Sequence, residues 1–407
     1  MSAPRMDAQI VVAQDSIDLP PSMTYPLDSL LSDWKAKSYL QIGKDCSTSE
    51  VNPTFSDSVY MDRLARIPAI IEMPYNDIVR KFIDMYTGRL RNQVSFMLSA
   101  ANFYMPTFEE ALDAYGLPLE LKYLPVIESA LNPNAVSRAG ASGLWQFMIG
   151  TGKIYGLESN SLVDERRDPI KSTWAAARYL KEMYDIYGDW NLVIAAYNCG
   201  PGTINKAIRR ANGETDYWKI FNYLPRETRG YVPAFIAANY VMNYYCDHNI
   251  CPMVTNIPAA TDTVQVNRPL HFRQVADLCH VPIEEIRSLN PQYKKEIIPG
   301  NNHPYALRLP LDAVSGFIDR EDSIYAYHAD ELLNRRRTVQ VEEQATTRRH
   351  RHGAIAGKGT PIRYKIKNGD TLSTIAGKFG VRVSDIQRWN GMSNTRLSAG
   401  KHLNIYK

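Results

Sequence analysis

With 407 residues, 44% hydrophobic and 22% charged, the chain is globular and long enough for two or three domains. No apolar run reaches the ~18 residues of a membrane-spanning helix, and the patch from Ile10 to Ala13 is too short for the core of a secretory signal, so an exported protein would have lost its signal before this numbering begins. The net charge of +4 comes from dispersed basic residues with no nucleic-acid module, which argues against a nucleic-acid partner.

The first fifty-odd residues are rich in Pro, Ser and Asp and weak in periodicity. "DIVRKFIDMYTGRLRNQVSFML" then places Ile78, Phe82, Met85 and Leu90 near one face, which predicts an amphipathic helix. Helical signals continue to Tyr245. "STWAAARYLKEMYDIYG" opens with a Ser/Thr cap candidate and ends at Gly188, and "DWNLVIAAYNCGPG" opens on Asp189 and stops at Gly200-Pro201. The exception is Ala135 to Met148, where "RAGASG" supplies turn residues for a hairpin or ordered loop. Cys246 and Cys251 flank the end of the last helix of this region. A local disulfide and two buried thiols both fit, and the odd count of five cysteines leaves at least one thiol over.

Beyond Pro258 the chain repeats itself at an offset of one hundred residues. "VADLCHVPIEEIRSLN" lies over "IAGKFGVRVSDIQRWN", with identical pairs Ala276/Ala376, Val281/Val381, Ile286/Ile386, Asn290/Asn390 and Gly300/Gly400. Each copy opens and closes on an alternating segment, predicting strand, helix, helix, strand. Two copies make small independent modules rather than a solenoid. Between them, "RRR", "RRHRH" and "GAIAGKG" predict a flexible basic linker, in which His350 and His352 are solvated rather than metal ligands.

One acidic residue stands in an unusual setting. In "VIESALNP", Glu128 follows Leu121, Leu124 and Ile127 at helical spacing, and Pro133 should end the helix near Asn132. Burial and the negative end of the helix dipole both disfavour the carboxylate anion there. A carboxyl that stays protonated near neutrality suits general-acid cleavage of a glycosidic bond. Position alone favours a solvated helix face, so the surrounding pattern has to decide.

That pattern resembles a known family. "ESALNPNAVSRAGASGLWQFM", "DERRDPIKSTWAAARYL" and "AAYNCGPGTINKAI", over about residues 75 to 245, resemble the soluble-type lytic transglycosylase domain, a relative of goose-type lysozymes. The resemblance implies a mainly α, lysozyme-like domain that cleaves peptidoglycan between N-acetylmuramic acid and N-acetylglucosamine. It implies Glu128 as the single acid/base. Ser137 and Gln146 would line the muramic acid side, Met148 would contact the groove, and Tyr197 and Asn198 would stand beside the acid. Glu227, in "PRETRGYV", would orient substrate or its peptide stem, and Tyr231 in the same motif counts among the substrate contacts. Each also has a plain reading: Met148 and Trp145 as core, Gln146 as a turn cap, Glu227 as a surface partner of Arg226 or Arg229. Cys199 departs from the small inert residue usual after "AYN", and packing is favoured over a reactive thiol.

The second repeat, with "NGDTLSTIA", "WN" and "LSAGKHLNI", resembles the LysM module. By that resemblance Gly369, Asp370, Thr371, Leu372 and Asn390 would bind N-acetylglucosamine chains, although Asp370 and Thr371 could instead cap the following helix. The first repeat has "NRPLHF" where the signature should be, so residues 262 to 310 read as a degenerate module that packs rather than binds sugar. The expected organisation is an extended segment (1–55), the lysozyme-like domain (56–257), a degenerate module (258–312), a connecting segment with the basic linker (313–362) and a LysM module (363–407). No metal or cofactor is expected, since "HExxH" and paired Cys/His spacings are absent. The expected partner is the peptidoglycan glycan strand, and the expected place is the cell envelope, periplasmic or outer-membrane-associated, with any membrane attachment through a segment absent from this chain.

Overall fold

The computed structural model describes residues 17–24, 51–253, 260–333, 360–392 and 394–406, in two compact units, residues 1–334 and 335–407. The larger unit begins with a helical body. Its helices are α1 (Asp57–Arg66), α2 (Asp77–Thr87), α3 (Arg91–Ala114), α4 (Leu124–Ser129), α5 (Ile149–Ile154), α6 (Pro169–Tyr187), α7 (Trp190–Cys199), α8 (Pro201–Arg210), α9 (Tyr217–Ile220) and α10 (Arg226–Tyr244). Helix α10 is the axis: every residue from Gly230 to Met242 is buried, and it packs against α2, α7 and α4. A helix apolar all round is stable only in such a position.

The amphipathic helix expected from residue 77 onward is two helices, because the chain breaks at Gly88. A Cβ there would stand 2.7 Å from the Asp84 carbonyl oxygen. Helix α6 starts earlier than its Ser/Thr signal: Asp168 caps it, accepting from the Ile170 and Lys171 amides at 2.9 and 3.0 Å, with Pro169 in the first turn. Asp189 and Gly200 bound α7 as the sequence indicates. Part of the supposedly extended N-terminal segment is built in. Pro20, Ser22 and Met23 are buried around a 3-10 turn, Pro21–Thr24, which lies against α4. The local cysteine bridge does not form: Cys251, buried, is disulfide-bonded, whereas Cys246 is an exposed free thiol at the start of the 3-10 turn Cys246–His248.

The first repeat completes this unit. Strand β1 (Thr261–Val266) pairs antiparallel with β4 (Tyr305–Pro310), and the short β2 (Pro269–His271) pairs with β3 (Ile297–Pro299), a pair beyond the expected two strands. Helices α11 (Phe272–Cys279) and α12 (Ile283–Leu289) lie between. The module extends past residue 312, because α13 (Leu311–Asp319) and α14 (Glu321–Ala326) put Phe317, Ile324 and Tyr325 into its core. The same core contains Val163 from the helical body, which bridges to Tyr293, while the Asp164 amide donates to Gln292 at 2.8 Å and the Lys294 amide to Leu162 at 2.8 Å. The core of this module is thus shared with the helical body.

The smaller unit is built from the antiparallel pair β5 (Ile362–Lys365) and β6 (His402–Ile405) with α16 (Leu372–Phe379) and α17 (Val383–Trp389), after α15 (Ala329–Leu332) of the larger unit. Ile366, Leu372, Ile375, Ile386, Trp389 and Ile405 form its core. The expected basic linker lies almost entirely outside the described residues. Among the described residues no helix is long and apolar enough to cross a membrane.

Candidate active site

Glu128 stands in the last turn of α4, as the apolar spacing indicates, but the helix ends sooner than Pro133 would require. Ala130 and Leu131 adopt left-handed conformations, φ 52° and 59°, and stop it at Ser129. Left-handed geometry costs an L-residue about 1–2 kcal/mol, and here it turns Leu131 fully into the core. Ser129 then ties the turn down, its hydroxyl donating to Leu144 O at 2.9 Å and back to Pro125 O at 3.0 Å.

The half-buried Glu128 carboxyl is pushed up to about 7, by burial first, against the hydrogen bond from Tyr231, with the charge of Glu227 adding to the rise. Tyr231 was expected to touch substrate. It is instead buried in α10, and its hydroxyl donates to Glu128 Oε1. Burial and the Glu128 charge hold the Tyr231 phenol far above its ordinary range, so it stays a proton donor to the acid. Glu227, on the first turn of the same helix, is exposed.

Tyr197 and Asn198 close α7 beside this pair. The Tyr197 hydroxyl donates to Trp145 O at 2.7 Å, and its phenol is raised well above the usual value by burial and then by the charge of Glu128. Asn198 accepts from the Thr228 hydroxyl at 2.8 Å, which fixes the end of α7 to α10. Cys199 is partly buried against the core and its thiol is raised by burial, the packed reading.

The segment from Ala135 to Met148 is an ordered loop with bridges Val136–Ser142 and Ser142–Phe147. Its polar residues largely hold the loop itself. Ser137 Oγ accepts from the Ala141 amide at 3.0 Å, and Gln146, at φ 48°, donates its amide to Gly143 O (2.7 Å) and Ala135 O (3.1 Å). Trp145 is fully buried and bonds Thr173 at 2.9 Å, whereas Met148 is 46% exposed, so of the two residues with a core reading only Trp145 is core. Beneath the loop lies a residue whose role sequence reasoning missed. Arg166 is buried, paired with Asp164 at 2.8 Å, and donates to Gly140 O at 2.8 Å and Phe147 O at 2.9 Å. Its carbonyl would sit 1.8 Å from a Cβ on Gly143, which explains that glycine. The signal was present in "DERRDP", but nothing in the spacing says that this arginine points inward.

The smaller unit corrects several expected sugar contacts. Leu372 is core. Asn390 commits its amide to Ile386 O (2.9 Å) and Asn404 O (2.7 Å) and its oxygen to the Asn404 amide (2.7 Å). Asp370 does not cap the helix; it receives the Tyr364 hydroxyl at 2.9 Å and the Lys367 amide at 2.8 Å. Thr371 is the N-cap, in a capping box with Thr374. Gly369, at φ 90°, is exposed in the turn just before them.

Three family models match parts of this chain. Residues 106–221 match the transglycosylase SLT domain, residues 260–326 the LysM-like domain of lytic transglycosylase MltD, and residues 364–405 the LysM domain. The first match contains Glu128, Ser137, Gln146, Met148, Tyr197 and Asn198, while Glu227 and Tyr231 lie beyond its end. Membrane-bound lytic murein transglycosylase D of Escherichia coli K12 is 30% identical over 340 residues, 82% of this chain and 70% of that protein. The soluble lytic murein transglycosylase of the same strain is 33% identical over 124 residues, 29% of this chain and 19% of that protein. The crystal structure of the 70 kDa soluble lytic transglycosylase from Escherichia coli aligns at 28% identity and TM-score 0.31 over 37% of this chain and 26% of that one. With an SLT domain carrying Glu128, both LysM-type modules in order and a relative matched over most of its length, the chain belongs to the family of membrane-bound lytic murein transglycosylase D.

Proposed function

We propose that this protein cleaves the β-1,4 bond between N-acetylmuramic acid and N-acetylglucosamine in peptidoglycan and closes a 1,6-anhydro ring on the muramic acid, with Glu128 as the only acid/base. The observation that carries this is the state of Glu128: a carboxyl near 7, held by Tyr231, with Glu227 as the acid whose charge reaches it and that acid out in solvent. Ordinary glycosidases need a second carboxylate as nucleophile or water-activating base. A single acid poised near neutral pH can serve in both directions.

In the first step the substrate's N-acetyl oxygen attacks C1 as the Glu128 proton passes to the leaving glycosidic oxygen and the C1–O bond breaks. In the second the C6 hydroxyl attacks C1, expels the acetamido oxygen and returns its proton to the Glu128 carboxylate. Atoms balance without water, and the enzyme is regenerated. Tyr231 steadies the carboxylate between the two steps, because a hydrogen bond to the charged form stabilises it. Ser137, Gln146, Met148, Tyr197, Asn198 and Glu227 form the surrounding substrate surface, with the loop bonds of Ser137 and Gln146 keeping its shape. Gly369, Asp370 and Thr371 are the part of the LysM module that offers turn backbone and exposed polar groups to acetamido sugars.

The protein acts in the cell envelope, periplasmic or at the outer membrane, where its substrate lies and where the Cys251 disulfide is stable. Membrane attachment, stated in the name of its relatives, would come from outside the described helices. Digestion of purified sacculi followed by mass spectrometry with and without borohydride tests the chemistry. Released muropeptides should be lighter than hydrolytic ones by one water and resist reduction. Reducible ends would establish a hydrolytic lysozyme instead, and no release by folded protein would establish a binding scaffold.

A further inference from the structure

The segment Ile17–Thr24 lies in a part of the chain with no helical or strand signal, yet it is packed against the active-site helices. Its contacts fall in a pattern. The Ser22 hydroxyl donates to the carbonyl of Ile127, the residue before Glu128. The Asp18 amide donates at 3.2 Å to the carbonyl of Arg226, the residue before Glu227. The segment also lies so close to Gly230, the residue before Tyr231, that a Cβ there would be 2.7 Å from Asp18 O and 2.7 Å from Ile17 Cγ2. Met23 is buried in the main core, which anchors the turn from behind.

These contacts matter because α4 has only six residues. So short a helix has little stability of its own, and the carbonyls of its last turn have no partners within it. Ser22 supplies a partner to one of them in a buried place where water does not substitute freely. We propose that residues 17–24 are a strap that positions the acid, and that Ser22 is a positioning residue acting through the Ile127–Glu128 peptide. The strap touches both helices that carry the Glu128–Tyr231 pair and so fixes their relative register. This inference rests on Glu128 being the acid.

The test uses the full chain on short soluble glycan strands, with kcat expressed per folded molecule from circular dichroism at a temperature well below unfolding. Ser22→Ala should lower kcat about 3–10-fold, since small misplacements of catalytic groups are costly in rate, while KM changes less than about twofold, because the substrate surface is untouched. Ser22→Thr, which keeps the hydroxyl, should restore most of the loss. Gly230→Ala, which pushes the strap away without removing any polar group, should shift kcat in the same direction, and either loss variant that folds carries the test. Wild-type kcat in folded Ser22→Ala or folded Gly230→Ala overturns the strap, as does an activity loss that merely follows the unfolded fraction. Run alongside, Glu128→Gln separates the two claims: if it is inactive while Ser22→Ala is fully active, the strap alone fails, and if it still cleaves, the acid assignment falls and the strap with it.

Discussion

Asn290 and Asn390 occupy the same place in the two LysM-type modules and do the same work. Each follows the second helix of its module, donates to a carbonyl one turn back (Ile286 or Ile386) and exchanges a pair of hydrogen bonds with a backbone position of the last strand, Arg308 or Asn404. Around this common fixture the modules differ. In the first, Gln274 donates to Tyr325 O and Tyr327 O at 3.1 and 2.8 Å, α13 and α14 cover one side, and Val163 of the helical body enters the core. In the second, the turn at Gly369 to Thr371 keeps an exposed polar face. The same framework is a structural part where its surface is committed to neighbours and a candidate glycan binder where it is left open. Damage to the first module should therefore register in the catalytic unit, and damage to the second should not.

The largest effect expected marks the limit against which both modules are judged. Glu128→Gln should lower cleavage by the ~10²–10⁴-fold associated with a general acid/base and leave sacculus binding unchanged in a pull-down. A carboxyl raised from 4.5 to about 7 holds a proton that the unfolded chain releases, so the wild type loses stability as pH rises through that window. The glutamine variant avoids this loss and should be more stable than wild type at pH 8 by on the order of 1–3 kcal/mol in urea unfolding; equal stability would contradict the raised carboxyl.

Next comes a pair of aromatic truncations. Tyr293→Ala removes a buried ring at the junction with Val163 and should destabilise the larger unit by about 3–5 kcal/mol, visible as a lower melting temperature of the activity itself. Trp389→Ala should unfold the smaller module alone, with turnover of soluble glycans unchanged. Matching responses would erase the distinction between the modules.

Removing residues 363–407 should weaken binding to insoluble sacculi about tenfold or more, as expected when one of two linked binding sites is lost, and alter the turnover of short glycans less than about twofold. Equal losses on both substrates would show that this module completes the active site. Smallest are the asparagine truncations. Asn290→Ala and Asn390→Ala should each cost about 1–3 kcal/mol for backbone groups left unpaired, the first in the unfolding of the larger unit and the second in that of the smaller one, when the two transitions are followed separately by calorimetry.

Much of this was legible in the residues. Apolar spacing placed Glu128 in the last turn of its helix, Asp189 and Gly200 bounded α7, and the hundred-residue offset exposed both modules and the paired asparagines. Those features are local or repeat at a fixed interval, so short-range physics and self-comparison suffice to find them. Other features depend on which distant groups come together. That Tyr231 reaches the acid, that Arg166 turns inward under the loop, that Leu372 is core and that Ser22 bonds a carbonyl 105 residues away were decided by tertiary packing. A tyrosine, an arginine, a leucine and a serine carry no mark of their partners in sequence, because burial and hydrogen bonding over such separations exist only once the chain has folded.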